Sequence, residues 1–179
     1  MDKEDGIFMK ITKQKIKLLC PQLIFLIVTF CIFMPSSLFL GNIDEFAVGF
    51  AALIPLLMAA SLITAAVVIL IGLIVPKKIC NIYAAVIFGG ALAAYVQGNF
   101  LNPDFGVLNG RQIQWSQFRV NAIISTVLWI VLIVVPAVVV CFKKDIMTKI
   151  MKWGSLFLSS IQVVTLVVLI VSCLLYTSD

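Results

Sequence analysis

The chain has 179 residues, of which 63% are hydrophobic and only 12% charged, and its net charge is +5. Globular proteins are about half apolar and about a quarter charged, so this composition excludes an ordinary soluble domain and indicates an integral membrane protein. A positive excess is also typical of nucleic-acid binding, but here it consists of lysines that flank apolar stretches. We therefore expect the lipid bilayer, and no nucleic acid, as the partner.

Five apolar stretches follow a basic leader at residues 1–18. A helix needs about 20 residues to cross about 30 Å of hydrocarbon, and each stretch is near or above that length. The sequence therefore predicts an all-α transmembrane domain over residues 19–175. Its predicted spans cover residues 19–40, 47–75, 79–96, 122–142 and 154–175.

The basic residues lie almost entirely on one side of these spans. Lysines precede the first span and follow the second and the fourth, whereas the opposite loops hold only Arg111 and Arg119. The positive-inside rule assigns the lysine-rich side to the cytoplasm. We expect the N-terminus inside and, after five crossings, the C-terminus outside.

The short connections carry two further predictions. The first outer loop, at residues 41–45, contains Asp44 and Glu45, which we interpret as a solvated turn; the alternative is a catalytic carboxylate pair, as in membrane glycosyltransferases that use lipid-linked sugars. The tight inner turn at residues 76–78 predicts that the second and third spans pack as antiparallel neighbours.

Small residues at four-residue spacing in the third span, Gly89/Ala93 and Gly90/Ala94, predict close helix packing.

The region around the last span contains polar and amphipathic patterns. Ile146, Met147, Ile150 and Met151 alternate with lysines in the inner loop at residues 143–153, which favours a short interfacial helix. The last span itself contains hydroxyl and amide side chains, which we expect to form hydrogen bonds within their helix or to a neighbour. These are Ser159, Ser160, Gln162 and Thr165.

The second outer loop, at residues 97–121, is the one extended polar region. Asn102-Pro103-Asp104 predicts a turn and Asn109-Gly110 a hairpin, so we expect a short extracellular hairpin-like loop between helices 3 and 4. Capping of the helix ends is the favoured interpretation, and contact with lipid headgroups or with an attached domain is the alternative. The side chains proposed for that contact are Gln97, Asn99, Asp104, Asn109, Arg111 and Trp115.

No motif in the chain points to catalysis. The sequence contains no histidine, no C-x-x-C pair among its five cysteines, and none of the common nucleotide, hydrolase or metalloprotease patterns. The predicted spans contain no charged residue, whereas proton and ion pathways usually need one. We therefore predict no catalytic, cofactor-binding or metal site within this chain.

The run G-N-F-L…D-F-G-V-L-N-G…I-x-W at residues 98–115 and the turn at residues 42–46 resemble the N-terminal membrane regions of bacterial envelope proteins. Many of those proteins carry a sulfatase-like domain of the alkaline-phosphatase superfamily outside the cell, and lipoteichoic acid synthase is the best-known relative by architecture. The resemblance implies a membrane anchor in the bacterial cytoplasmic membrane for a hydrolase or phosphoryl-group transferase. It also implies a divalent metal in the outer domain only, and an outer-leaflet lipid or cell-surface polymer as a partner.

The last seven residues, 173–179, resemble the translation of an adaptor used to prepare sequencing libraries. The sequence therefore predicts a non-native tail, with the native chain continuing differently after about Ser172 into the outer domain. Two other functions stay open at this point. The chain is alternatively the start of a polytopic glycosyltransferase, or a small non-catalytic membrane scaffold.

Overall fold

A computed structural model describes residues 3–39, 43–97 and 115–176 of the chain. These residues form five α-helices and no strand, which confirms the all-α prediction for the described ranges. The helices are α1 (Lys3–Phe39), α2 (Ile43–Ile74), α3 (Lys77–Val96), α4 (Trp115–Phe142) and α5 (Lys144–Tyr176).

Several helices are long and apolar enough to cross a membrane. Among the described residues they are Ile7–Cys31 in α1, Lys77–Val96, Ala122–Phe142 and Lys144–Val168. In α2 the described apolar segment is the shorter Ala59–Ile74, so the second of the five predicted spans stays a prediction. Length and composition therefore support a helical membrane protein with at least four candidate spans.

The first two helices begin earlier than predicted. The basic leader is not a separate segment, because α1 runs without a break from Lys3 and its 37 residues extend about 55 Å. Asp44 and Glu45, predicted to lie in a turn, belong to the first helical turn of α2. Carboxylates stabilise a helix N-terminus by countering its partial positive charge, which explains why the helix starts before the apolar stretch.

The last two helices also extend into predicted loops. Residues 115–121, assigned to the second outer loop, form the start of α4, and the rest of the predicted hairpin lies outside the described residues. Residues 144–153, predicted as a loop with a short interfacial helix, are instead the first turns of α5. Only Lys143 separates α4 from α5. Helix α5 begins this early because no proline or cluster of turn residues interrupts the helical pattern after Lys143.

Helix α1 forms the centre of the bundle. It packs against α2, α3 and α5, while α4 packs mainly on α3. The prediction that the second and third spans are packed neighbours is therefore wrong over most of their length. They meet near their turn, where the Tyr83 hydroxyl donates a hydrogen bond to the Val68 carbonyl at 3.1 Å. The Leu19 side chain of α1 packs directly against Gly72 of α2, in the space that a Cβ atom would occupy. Helix α2 therefore packs on α1 instead of on α3.

Small residues of α3 bring the helix axes together around aromatic and sulfur-containing side chains. Ala84, Ala85 and Ala91 are fully buried in one apolar cluster with Phe25 of α1 and Met151 of α5. The Phe25 ring also lies against two aromatic rings of α3, with centroid distances of 6.3 Å to Phe88 and 6.0 Å to Tyr95. Close packing through small residues is the usual basis of helix association in lipid, where burial of apolar surface gives little driving force.

Candidate functional site: a polar seam between α1 and α5

Five uncharged polar side chains are buried along the contact between α1 and α5, and we call them the polar seam. They are Gln22 and Thr29 of α1 with Ser155, Ser159 and Gln162 of α5. On each helix the outermost two are seven residues apart, which is two helical turns and therefore the same face. Buried polar groups at membrane depth are costly unless they form hydrogen bonds, so the partners of these side chains decide what the seam does.

Thr29 and Gln162 link the two helices directly. The Thr29 hydroxyl lies 3.4 Å from Gln162 Oε1, to which it donates, and Gln162 Nε2 donates to Thr29 Oγ1 at 3.3 Å. Both distances are longer than the usual hydrogen-bond range, which ends at about 3.0–3.2 Å, so the contact is weak for its type. It nevertheless satisfies two buried polar groups with each other.

The two serines of the seam bond within their own helix. Ser155 Oγ donates to the Met151 carbonyl at 2.6 Å, and Ser159 Oγ donates to the Ser155 carbonyl at 2.7 Å. Ser160 and Thr165 form the same type of bond on the exposed side of α5. The prediction that the polar residues of the last span bond within the helix or to a neighbour is confirmed.

Gln22 is the exception in the seam. Its side chain is 0% exposed, and neither its amide nitrogen nor its amide oxygen has a hydrogen-bond partner among the described residues. Gln22 and Ser155 are separated by the same 133 positions as Thr29 and Gln162. Since α1 and α5 run parallel, the register places Gln22 level with Ser155, two turns along from the bonded pair.

The chemistry of the polar seam is hydrogen bonding between uncharged groups. Its five side chains carry no charge, and the described residues include no group of three or more His, Cys, Asp or Glu that could hold a metal ion. Only the Thr29–Gln162 pair crosses between the two helices, so a slip of one helix by one residue would break that contact and leave the two serine bonds within α5 unchanged. The polar seam therefore adds one direct polar link to the apolar contact between α1 and α5.

A double-mutant cycle of Thr29→Val and Gln162→Leu tests the direct link. We expect a coupling of about 0.5 kcal/mol, because interhelical hydrogen bonds in membrane proteins average about that value and this one is long. The free energy of unfolding in detergent micelles is the measurement. Thr29→Val combined with Thr165→Val is the matched control and should be additive, since Thr165 bonds only to its own helix. Equal coupling in both cycles would contradict the link.

Replacement of Gln22 by methionine is expected to leave stability unchanged or to raise it by about 1 kcal/mol. Methionine has nearly the same shape and carries no amide that must be buried without a partner. Gln162→Met is the comparison, and we expect it to be destabilising because it removes the partner of Thr29. The same unfolding measurement checks both. Loss of stability on Gln22→Met would mean that its amide has a partner in the folded protein.

The outer site predicted from the sequence is described only in part. Gln97 follows α3 and is half-buried, and its Oε1 accepts a hydrogen bond of 2.5 Å from Trp129 Nε1 of α4. Trp115 is the first residue of α4. The other four proposed contact residues, Asn99, Asp104, Asn109 and Arg111, lie outside the described residues. Contact of this loop with lipid or with an outer domain therefore stays a prediction.

The hydrogen bond from Trp129 gives Gln97 a structural role that the sequence alone did not indicate. It ties the end of α3 to α4 just below the outer loop. The sequence-based prediction also missed that Gln22 and Thr29 have the same seven-residue spacing as Ser155 and Gln162, although this spacing is visible in the sequence.

No protein-family model, no curated protein and no solved structure matches the chain.

Proposed function

We propose that this bundle is the membrane anchor of a cell-envelope enzyme, a sulfatase-like hydrolase or phosphoryl-group transferase whose catalytic domain follows α5 outside the cell. The observation that supports an anchor is the parallel arrangement of α1 and α5, whereas the class of enzyme rests on the resemblance at residues 42–46 and 98–115. Thr29 meets Gln162, and Leu19 shares one buried cluster with Met147 and Met151. The far end of α5 therefore emerges on the face opposite the lysine-rich start of α1, as an anchor for an outer domain requires.

The distribution of charge supports an orientation with the N-terminal end of α1 in the cytoplasm. Lys15 bonds to the carbonyls at the end of α2, so the α2–α3 turn with Lys77 and Lys78 lies at the same end of the bundle as the basic part of α1. Under the positive-inside rule this is the cytoplasmic end. The resemblance to bacterial envelope proteins implies that this membrane is the bacterial cytoplasmic membrane and that any divalent metal belongs to the outer domain.

Single-cysteine labelling tests the orientation. In a variant without its native cysteines, Asn109→Cys should react with an impermeant maleimide added to intact cells. Lys78→Cys is the control at the opposite end and should react only after permeabilisation. Labelling of position 109 only after permeabilisation would reverse the proposed topology.

The genomic reading frame beyond the codon for Ser172 tests the function. We expect a large soluble domain with a Thr or Ser nucleophile and Asp and His metal ligands, and phosphatase or sulfatase activity in membranes that contain the full protein. Further apolar spans would instead support a polytopic glycosyltransferase that uses Asp44 or Glu45. A stop codon without adaptor sequence would support a small membrane scaffold, and either result would overturn the proposal.

A further inference from the structure

A basic face lies on the N-terminal part of α1. Met9, Lys10, Lys13, Gln14 and Lys17 line a shallow open cavity of about 440 Å³, and all five side chains are exposed. Lys10, Lys13 and Lys17 follow one another at intervals of three and four residues, so their amines lie on one side of the helix. Within the described residues these lysines form no ion pair, which leaves their charge available to a ligand.

This face points away from the bundle. Lys15 bonds to α2, Leu19 lies against Gly72, and Gln22 is buried, so these three residues define the inward side of α1. Lys13 and Lys17 are each two residues from Lys15 and therefore lie about 160° around the helix from it. The basic face thus belongs to the outer surface of α1.

Farther along α1, the same outer surface becomes the lipid-facing side of the bundle. Cys20 and Ile24, one and two turns beyond Lys17, are exposed on it. A phospholipid whose acyl chains lie against this part of α1 therefore has its headgroup beside the lysines. The long aliphatic stems of Lys13 and Lys17 suit that position, because they cover apolar surface while the amines reach the polar region.

The contact of Lys15 with α2 is a second, independent indication of where the basic face lies relative to the hydrocarbon layer of the membrane. Lys15 Nζ lies 2.7 Å from the carbonyls of both Leu73 and Val75, where the apolar segment Ala59–Ile74 ends. This level marks the edge of the hydrocarbon layer. Lys17, Lys13 and Lys10 lie within about 8 Å of it along the helix axis, which is the zone of lipid phosphates.

We propose that the basic face of α1 binds the headgroup of an anionic phospholipid in the leaflet at the N-terminal end of the bundle. Lys10, Lys13 and Lys17, which have no ion-pair partner among the described residues, match a phosphate and a negatively charged headgroup, and Gln14 adds an amide donor. The adjoining exposed surface at Cys20 and Ile24 accommodates an acyl chain. This inference needs only the bundle, so it stands or falls separately from the proposed enzyme.

Native mass spectrometry of the detergent-solubilised full chain tests the proposal. Phosphatidylglycerol and phosphatidylcholine with the same acyl chains are the probes. We expect phosphatidylglycerol to bind preferentially, and Lys10→Gln/Lys13→Gln/Lys17→Gln to weaken its binding roughly 100-fold, about fivefold for each lysine. The control Lys77→Gln/Lys78→Gln/Lys143→Gln removes the same charge from exposed positions at the same end and should retain binding within about twofold.

A second variant and a competitor complete the design. Lys10→Arg/Lys13→Arg/Lys17→Arg keeps the charge and should keep the preference, which separates loss of binding from loss of folding. Millimolar inorganic phosphate should not displace the lipid, because the acyl chains contribute to binding. Equal weakening in the control variant, equal binding of phosphatidylcholine, or displacement by phosphate alone would each overturn the proposal.

Discussion

Gly89→Ala is expected to lower the free energy of unfolding by about 2 kcal/mol, although alanine favours a helix over glycine by about 1 kcal/mol. A Cβ atom at Gly89 would collide with the Leu132 carbonyl oxygen and lie 2.8 Å from the Ile133 Cα atom of α4. Both are backbone atoms, so no side-chain rotation relieves the contact. The α3–α4 interface must separate to accommodate a single methyl group.

The close approach at Gly89 has a local cause in α4. Pro136 has no backbone N–H, so the carbonyl four residues earlier, that of Leu132, receives no helical hydrogen bond from it. That carbonyl lies so close to Gly89 that only a residue without a Cβ atom fits there. The proline and the glycine therefore complement each other across the interface.

Gly90→Ala is the matched control, because a Cβ atom at Gly90 meets nothing within 4 Å. We expect this variant to be unchanged or more stable by up to about 1 kcal/mol. Circular dichroism during thermal or denaturant unfolding in the same detergent gives both values. If the two alanine variants were equally stable, the backbone contact between α3 and α4 would not exist in the folded protein.

Lys15→Met is expected to destabilise the bundle by about 2 kcal/mol and to loosen the α2–α3 turn. Lys15 Nζ donates to the carbonyls of Leu73 and Val75, both at 2.7 Å. Carbonyls at the end of a helix have no helical donor, and a cation there also counters the partial negative charge of the helix. Methionine keeps the aliphatic stem but leaves both carbonyls without this donor.

The reaction rate of the Cys80 thiol measures the loosening of the α2–α3 turn. Cys80 is 2% exposed and lies beside Gly72 near the turn, so a thiol reagent should reach it faster once Lys15 no longer holds the end of α2. Site-resolved mass spectrometry separates this cysteine from the exposed Cys20 and Cys141. Lys13→Met is the control, since it removes the same charge from the outward face. Equal labelling of Cys80 in both variants would contradict the role of Lys15.

The amino-acid sequence is sufficient to predict that the chain is helical and suited to a membrane. Apolar stretches of about 20 residues without charge admit few alternatives, because the backbone must satisfy its own hydrogen bonds in lipid. The bounds of α3 differ from the prediction by at most two residues at each end. The other helices extend farther because polar residues such as Asp44 and Lys149 continue a helix beyond the apolar layer, and hydropathy does not detect that.

The sequence does not predict which helices are neighbours or which small and polar residues form contacts between helices; the packed bundle shows both. Gly89 and Gly90 are indistinguishable by spacing, but a Cβ atom at Gly89 would meet the backbone of α4, whereas one at Gly90 would meet open space. Lys13 and Lys15 both count as inside lysines, but one is exposed on the outer face and the other caps α2. These differences depend on the rotation of each helix about its axis. Close packing between helices determines this rotation. It cannot be predicted from the sequence here, because nearly every face of these helices is apolar.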